Sequence, residues 1–536
     1  MSNKFMHGSQ ILLGSSTTPG VQIPPELKKV IPDIFKACQD FGLDYFPPII
    51  QMLTHDEMSE VASYGGFGVR YPHWKWGMEY EEMQRGYMHG MHRIYEMVIN
   101  TDPCYIYCLN SNSLLDNVTV IAHALGHSHF FKNNLFFQHT NKNMLNEFAN
   151  HGTRIRRYMA RWGKERVIEF IDHVLRIETL VDHSKAWESR QVKELVVRDS
   201  RKYRHPRRMP TDKNRMYMDD WINTKEFLDV EHKRIEQAEK ADDLGLMLHP
   251  EKDIFGWIKD NANLKPWQAD IMSMLYDEAM YYAPQGATKV ANEGCASWID
   301  YHIIAKQGLC ALGQETHDSG IVEYSIHKMG VLGGRYSTNP YKLGYSLLCD
   351  IEDRWNKGKF GQEYEDCQDW KTKENWDQNL GLGKEKVFEI IRRYDDVNLI
   401  NEFFTEEFCN KYEFFDWEKT ENGEYVVRTK DVKVIKKKLM EKHSNRGLPT
   451  VNLVDHNHLG RGIMLLEHVW NGRTLYTPYV QETLSSINFL TGKPVLLATK
   501  NKNKEEVIFY CEGFGDSQVH QMTREQYRKE FGIPSK

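Results

Sequence analysis

Residues 116–151 constrain the fold of this chain more than any other stretch. His123 and His127 lie four positions apart in an apolar run, which places both imidazole rings on one face of an α-helix, one turn apart. Two imidazoles in that arrangement can share one metal ion. Glu147 and His151 form a second pair with the same spacing. The sequence therefore predicts two helices that pack together and hold a metal.

Length and composition limit the class of protein. The chain has 536 residues, which is too long for one ordinary core, and its 40% hydrophobic and 27% charged residues are typical of globular domains. A net charge of −6 argues against general nucleic-acid binding. The nine cysteines are scattered without a CxxC pair, and neither a signal peptide nor an apolar stretch of membrane-spanning length is found. These features predict a cytoplasmic protein with reduced, mostly buried cysteines and no membrane span.

Periodicity and composition predict an α+β protein. We expect a mainly α-helical core domain that carries the metal-binding helices, followed by a small C-terminal α/β domain. A helix is predicted over 80–97, and a strand, turn and strand over 98–109 with the break at Asp102-Pro103. The predicted segments are a flexible lead-in (1–22), an N-terminal helical domain (23–182), a charged insertion (183–265), a helical continuation (266–418), the α/β domain (419–515) and a tail (516–536).

The charged insertion contains a basic cluster between positions 198 and 208. Its low apolar density favours a solvated arm over a nucleic-acid or phosphate site.

The spacing of the histidines and Glu147 resembles the gluzincins, the thermolysin-type zinc peptidases. That family carries HExxH on one helix and, about twenty residues later, an Asn-Glu pair whose Glu is the third zinc ligand. The resemblance implies that the two metal-binding helices are zincin-like and that His123, His127 and Glu147 bind zinc, with His151 in the place of a supporting aspartate. Position 124 holds Ala instead of the Glu that activates the metal-bound water. Glu293, in a second Asn-Glu pair, is the first candidate for that base and also a rival third ligand.

Other side chains are candidates for supporting the site or binding its substrate. Supporting or alternative ligands are His151, His129, Glu178, Asp182, Glu278 and His327. Candidate substrate contacts are Arg154, Arg157, Asn133, Asn134, His73 and Trp74. Structural roles are the alternative for each of these contacts: helix termination for the asparagines, ion pairs with local carboxylates for the arginines and core packing for the aromatic segment. Several carboxylates on predicted helices are also compatible with a helical bundle that binds two metal ions, although the usual Glu-x-x-His spacing is missing.

Longer motifs resemble one family over most of the chain. They are YPHWKWG (71–77), YEMVINTDPC (95–104), IAHALGHSHFFKNN (121–134), NEFANH (146–151), PQGATKVANEGCAS (284–297), NPYKLGYSLLCDIEDRWNKGKFG (339–361) and LLEHVWNGRTLYTPYVQETL (465–484). Together they are similar to the stage V sporulation protein R (SpoVR) family. The resemblance implies a link to spore cortex formation or to stress response. It also implies association with a AAA-type serine protein kinase and a von Willebrand-type protein.

Two functions remain open from the sequence. The first is a metal-dependent hydrolase that acts on an amide bond with a divalent metal, most simply zinc, as cofactor. The second is a non-catalytic scaffold or adaptor in a kinase-linked pathway, which Ala124 favours.

Overall fold

The structure, a computed structural model, describes residues 12–13, 22–88, 96–182, 184–185, 250–311, 317–334, 336, 338–513 and 519–531. Most of the lead-in and of the charged insertion, including its basic cluster, lies outside the described residues. Helices dominate and small sheets accompany them, so the fold is mixed α/β and mainly helical.

The helices follow one another with short connections in most of the described chain. In chain order they are α1 (Pro25–Asp40), α2 (His55–Ser63), α3 (Trp74–Met88), α4 (Leu114–Asn133), α5 (Met144–Trp162), α6 (Lys164–Leu175), α7 (Ile254–Asn261), α8 (Pro266–Ala287), α9 (Lys289–Asp300), α10 (His317–Leu332), α11 (Pro340–Lys357), α12 (Gln362–Asp366), α13 (Trp370–Glu374), α14 (Gly383–Arg393), α15 (Asp396–Phe403), α16 (Glu406–Lys411), α17 (Val432–His443), α18 (Thr477–Thr491) and α19 (Arg524–Phe531).

The strands of the described residues form three sheets. They are β1 (Leu12–Leu13), β2 (Pro48–Leu53), β3 (Glu96–Ile99), β4 (Cys104–Leu109), β5 (Asp416–Lys419), β6 (Tyr425–Thr429), β7 (Val451–His458), β8 (Ile463–His468), β9 (Val495–Lys500), β10 (Glu506–Cys511) and β11 (Val519–Thr523). The sheet orders are β1-β2-β4-β3, β11-β10-β9-β8-β7 and β5-β6. β4 runs parallel to β2 and antiparallel to β3, whereas β8 and β9 are the parallel pair of the five-stranded sheet.

The strand–turn–strand prediction at 98–109 is confirmed, because β3 and β4 pair on either side of Asp102-Pro103. The helix predicted over 80–97 is wrong at its end. Glu96 and Met97 pair with Cys108 and Tyr107 of β4, so the sheet overrides the helical pattern there.

The described part of the chain forms two compact units. The first comprises Met1–Arg157 and Pro284–Gly447, and the second comprises Tyr158–Ala283 and Leu448–Lys536. Each unit draws on two separated stretches, whereas the domains predicted from composition are consecutive segments, whose limits stay predictions.

The prediction that the cysteines are reduced and mostly buried is confirmed. All nine cysteines are free thiols, and only Cys349 and Cys367 are not buried. No helix among the described residues is both long and apolar enough to cross a bilayer.

Helix α4 is the central helix of the first unit. It begins with a capping box, in which Ser113 Oγ accepts the Asp116 N–H at 3.0 Å and the Asp116 carboxylate accepts the Ser113 N–H. Every residue from 117 to 131 is buried, so neighbouring elements cover the helix on all sides. A helix with apolar residues on every face is stable only in such an interior position.

Small residues let the neighbouring helices come very close. A Cβ added to Gly126 of α4 would lie 2.9 Å from Ala296 Cα of α9. A Cβ added to Gly294 of α9 would lie 2.5 Å from the carbonyl carbon of Gly344 in α11. These contacts place α9 between α4 and α11, so side chains of α9 can reach the two histidines.

We expect Gly294→Ala to lower the free energy of unfolding by about 1–3 kcal/mol, because the added methyl must push two backbones apart. Gly330→Ala is the matched control, since Gly330 lies in helix α10 with no atom within 4 Å of the new Cβ. The control should be neutral or more stable by up to about 1 kcal/mol, owing to the helix propensity of Ala. Denaturant unfolding of both variants checks this, and equal stabilities would contradict the close contact.

Candidate metal centre

Three side chains from two helices converge in the first unit. Oε2 of Glu293, on α9, lies 3.3 Å from Nε2 of His127 and 3.7 Å from Nε2 of His123, both on α4. One donor atom of each side chain lies within 4.8 Å of the other two. Two ligands held at about 2.1 Å by a tetrahedral ion would be about 3.4 Å apart. The two distances to Oε2 match this spacing, and all three atoms are close enough to one another to be candidate ligands of one ion.

The Nδ1 atoms of both rings form hydrogen bonds with other side chains. Nδ1 of His123 lies 2.8 Å from Oδ2 of Asp300, and Nδ1 of His127 lies 2.9 Å from Oδ1 of Asn292. Both partners are acceptors, so each neutral ring donates from Nδ1 and keeps a lone pair on Nε2. That lone pair faces Glu293. Histidine ligands of metals are oriented by partners of this kind.

Asp300 is held as an anion by two groups of α10. Nζ of Lys328 lies 2.7 Å from its Oδ1, and the Tyr324 hydroxyl donates to the same oxygen at 2.6 Å. Burial alone would raise the pKa of Asp300, but the Lys328 charge and the bond from His123 bring it below its ordinary value. Lys328 is itself buried, so these two charges compensate each other inside the protein.

Glu293 has an oxygen without a hydrogen-bond partner. Its Oε2 is buried, and no group in the described chain forms a hydrogen bond with it. Burial would raise the pKa of Glu293, but His127 and His123 lower it below its ordinary value when their rings are charged. Three atoms with lone pairs thus face one another, and they repel unless a proton or a metal ion lies among them. The donor set and the unpartnered oxygen both fit a divalent metal ion.

The position of the missing HExxH glutamate lies in the hydrophobic core. Ala124 is fully buried among the apolar side chains that surround α4. A carboxylate at this position would be taken out of water without a partner, which is strongly unfavourable. The carboxylate beside the histidines comes instead from α9.

The structure brings Glu293, and not Glu147, to the two histidines. Glu147 lies on α5 and is only partly buried, and His151 is buried on the same helix. Neither belongs to the cluster, which is the one group of three such side chains found within the described residues. The zincin-like pair of helices expected from the sequence is therefore not confirmed.

The other predicted ligands lie elsewhere. Glu178, Asp182 and Glu278 belong to the second unit. Asp182 accepts hydrogen bonds from Ser184 Oγ at 2.7 Å and Lys252 Nζ at 3.2 Å. None of the three carboxylates joins a metal-binding cluster within the chain described, so the di-metal bundle gains no support.

His327 helps to dock α10 on α4. Its Nδ1 lies 2.9 Å from Oδ1 of Asp116, and Ser113 Oγ donates to Glu323 at 2.9 Å. The i, i+4 pair of Glu323 and His327 thus contacts the first turn of α4, on the same helix as Lys328 and Tyr324.

Asn133 and Asn134 bind backbone. The Asn133 amide donates to the Asp44 carbonyl at 2.7 Å, and the Asn134 amide donates to the Ile391 carbonyl at 2.7 Å. These bonds fit the structural alternative, the end of α4.

The remaining substrate candidates lie on α3, just before it, and on α5. His73 is buried and its Nδ1 accepts the Lys75 N–H at 3.2 Å, whereas Trp74 at the start of α3 is 60% exposed. Arg154 is partly buried on α5, and Arg157 is exposed. Their roles in substrate binding stay predictions.

His129 faces away from the cluster. Its Nδ1 accepts the Asp44 backbone N–H at 3.0 Å, and its ring packs edge-on against Phe388. Burial lowers the pKa of His129 to about 4.

We expect His129 to make the folded state less stable in acid. Its ordinary pKa near 6.5 applies to the unfolded chain, which therefore binds the extra proton first as the pH falls. Stability should decrease between pH 6.5 and 4, by up to about 3 kcal/mol from this group. Unfolding of His129→Gln should depend less on pH over this window, whereas His139→Gln, at an exposed position, should behave as wild type. Identical pH dependence of all three proteins would contradict the assignment.

We expect Asp300→Asn to cost about 3–5 kcal/mol of stability, because it leaves the Lys328 ammonium buried without its counter-charge. The double variant Asp300→Asn, Lys328→Met removes the charge as well and should regain most of the loss. Denaturant unfolding of both variants measures the difference. A double variant no more stable than the single one would show that the two charges do not compensate each other.

Fold and site together define a mainly helical α/β protein whose first unit encloses a cluster of two histidines and a glutamate. The chain belongs to the SpoVR family, because the model for "SpoVR like protein" matches residues 22–448. It is similar to the uncharacterized protein YcgB of Escherichia coli (strain K12), with 23% identity over 495 residues, 88% of this chain and 91% of that relative. No solved structure matches the chain. The family resemblance carried by the sequence motifs is confirmed.

Sequence reasoning missed the residues that support the histidines. Asp300 follows Glu293 by seven positions, two helical turns, so the same face of one helix carries both. Tyr324 and Lys328 likewise lie one turn apart on α10. This spacing was visible in the sequence, but it does not say which helix the face meets.

Proposed function

We propose that this SpoVR-family protein binds one divalent metal ion, most simply zinc, through His123, His127 and Glu293, and hydrolyses an amide bond there. The observation that carries the proposal is the convergence of three ligand atoms from His123, His127 and Glu293. Asp300 and Asn292 bind the opposite nitrogens of the two rings and so fix their orientation. Any buried histidine needs an acceptor for its N–H, but here the second nitrogens of both rings also face one carboxylate oxygen, as ligands of a shared ion do.

The number of ligands favours a catalytic centre over a structural one. Structural zinc usually has four protein ligands, whereas catalytic zinc has three and an open position. No fourth His, Cys, Asp or Glu joins the cluster in the described part of the chain. A bound ion of this kind supplies an activated water and polarises a carbonyl. Glu293 acts as a ligand in this proposal, and its alternative role as base would require a third ligand from elsewhere.

A scaffold or adaptor without activity is the second candidate. It is favoured by Ala124, which stands in the place of the HExxH base and has no carboxylate. Its burial in the core also leaves no room there for a charged side chain. In that case the ion would have no position open to an added ligand.

Family membership supports a link to sporulation. The more specific role in cortex formation or stress response, the cytoplasmic location and the association with a AAA-type serine kinase and a von Willebrand-type protein stay predictions. Affinity purification of the tagged chain tests the partners.

Metal analysis of the purified chain tests the site. We expect about one equivalent of divalent metal in the wild type, and loss of that metal in His127→Ala and Glu293→Gln. Glu147→Gln is the matched control, because Glu147 is a partly buried helical glutamate outside the cluster. Asp300→Asn should weaken the metal affinity by about 10–100-fold. Metal lost from Glu147→Gln but kept by Glu293→Gln would favour the gluzincin arrangement instead, and a folded wild type that takes up no metal would refute the proposal.

Cobalt substitution separates the enzyme from the scaffold. An open position predicts that added acetohydroxamate changes the visible absorption of the cobalt protein. A spectrum that does not respond to the added ligand favours the scaffold.

A further inference from the structure

A concave site lies in the first unit and shares no residue with the metal cluster. It is a cavity of about 810 Å³ between α11, α12, α13, α15 and α16. This volume is within the range of small-molecule sites, about 300–1,000 Å³.

The cavity is lined by Arg354, and two of its guanidinium nitrogens have no hydrogen-bond partner among the described residues. Nε and Nη1 of Arg354 are buried, and no acceptor among the described residues reaches either atom. The guanidinium carbon lies 5.5 Å from the centre of the Trp355 ring. Buried donors that form no hydrogen bond are costly, so an acceptor from outside the chain would stabilise this side chain.

Two lysines add positive charge to the same cavity. Nζ of Lys359 donates to the Glu374 carbonyl at 3.0 Å, and Nζ of Lys373 lies 4.7 Å from the centre of the Tyr364 ring. Within the described chain, neither lysine forms an ion pair with a carboxylate. Both lysines and Arg354 are half-buried.

Four glutamates also line the cavity, but they are exposed and lie towards water: Glu365, Glu402, Glu406 and Glu407. The Glu402 carboxylate accepts the Tyr394 hydroxyl, and the Glu407 carboxylate accepts the Tyr364 hydroxyl. Solvent screens exposed charges much more than partly buried ones. The less exposed part of the lining is therefore positive, and the exposed glutamates disfavour ligands with more than one anionic group.

Aromatic rings form one wall. Trp355 stacks on Phe360 with the ring centres 5.1 Å apart, and Phe403 packs edge-on against Trp355 at 5.8 Å. Such a wall offers a flat apolar surface beside the cations.

We propose that this cavity binds a small organic anion with one carboxylate or phosphate group on a flat apolar body. The anionic group accepts hydrogen bonds from the Arg354 fork, whose geometry suits both groups. The flat body lies against the Trp355 and Phe360 rings. This binding does not depend on the metal proposed for the histidine cluster.

Calorimetric titration of the full chain with benzoate, phenyl phosphate and inorganic phosphate tests the proposal. We expect at least one of the two aromatic anions to bind, and inorganic phosphate to bind more weakly because it lacks the apolar body. The tighter of the aromatic probes identifies the preferred acidic group. Arg354→Gln should weaken its binding at least about tenfold. Arg393→Gln is the matched control and should change nothing, since Arg393 is exposed and already pairs with Glu389 at 3.2 Å.

Lys373→Gln keeps the test valid if Arg354→Gln does not fold. Lys373 lies on the short α13, outside the core, and its loss should weaken binding several-fold. A wild type that binds none of the probes at millimolar concentration would overturn the proposal. Binding that is equally strong in the folded Arg354 and Lys373 variants would do so too.

Discussion

The close contact between α4 and α9 determines where the charged groups of the candidate metal centre lie. Gly126 has no side chain, so the backbone of α9 comes against it at Ala296. At this separation Glu293 and Asp300 reach the two histidines directly, one turn before and one turn after the contact. A larger residue at position 126 would move both carboxylates away from the imidazoles.

Charge compensation within the buried cluster explains its composition. Lys328 neutralises Asp300, and Asp300 in turn fixes the hydrogen on His123 Nδ1. With both rings neutral, no positive charge lies beside the Glu293 carboxylate, and no group among the described residues donates a hydrogen bond to its Oε2. Buried charges are stable when they are paired or bound to a metal, so the cluster calls for one more positive charge. A divalent ion supplies it and uses the lone pairs of both imidazoles.

Helix α11 contributes to both sites of the first unit. Near its start, Gly344 lets α9 approach closely. Near its end, Arg354 and Trp355 line the cavity proposed to bind an organic anion. The two sites differ in chemistry, because one brings two imidazole nitrogens to the Glu293 carboxylate and the other brings cations beside aromatic rings.

The sequence by itself determined the local features of this protein. The apolar run with His123 and His127 at helical spacing, the strands on either side of Asp102-Pro103 and the motifs of the SpoVR family are all properties of neighbouring residues. Which carboxylate faces the histidines does not follow from neighbouring residues. Glu147 and Glu293 both follow an asparagine on a helix, and only the packing of α9 on α4 distinguishes them. Periodicity tells which side chains share a face, but the partner of that face depends on contacts between residues far apart in the chain, and those are decided by how whole helices fit together.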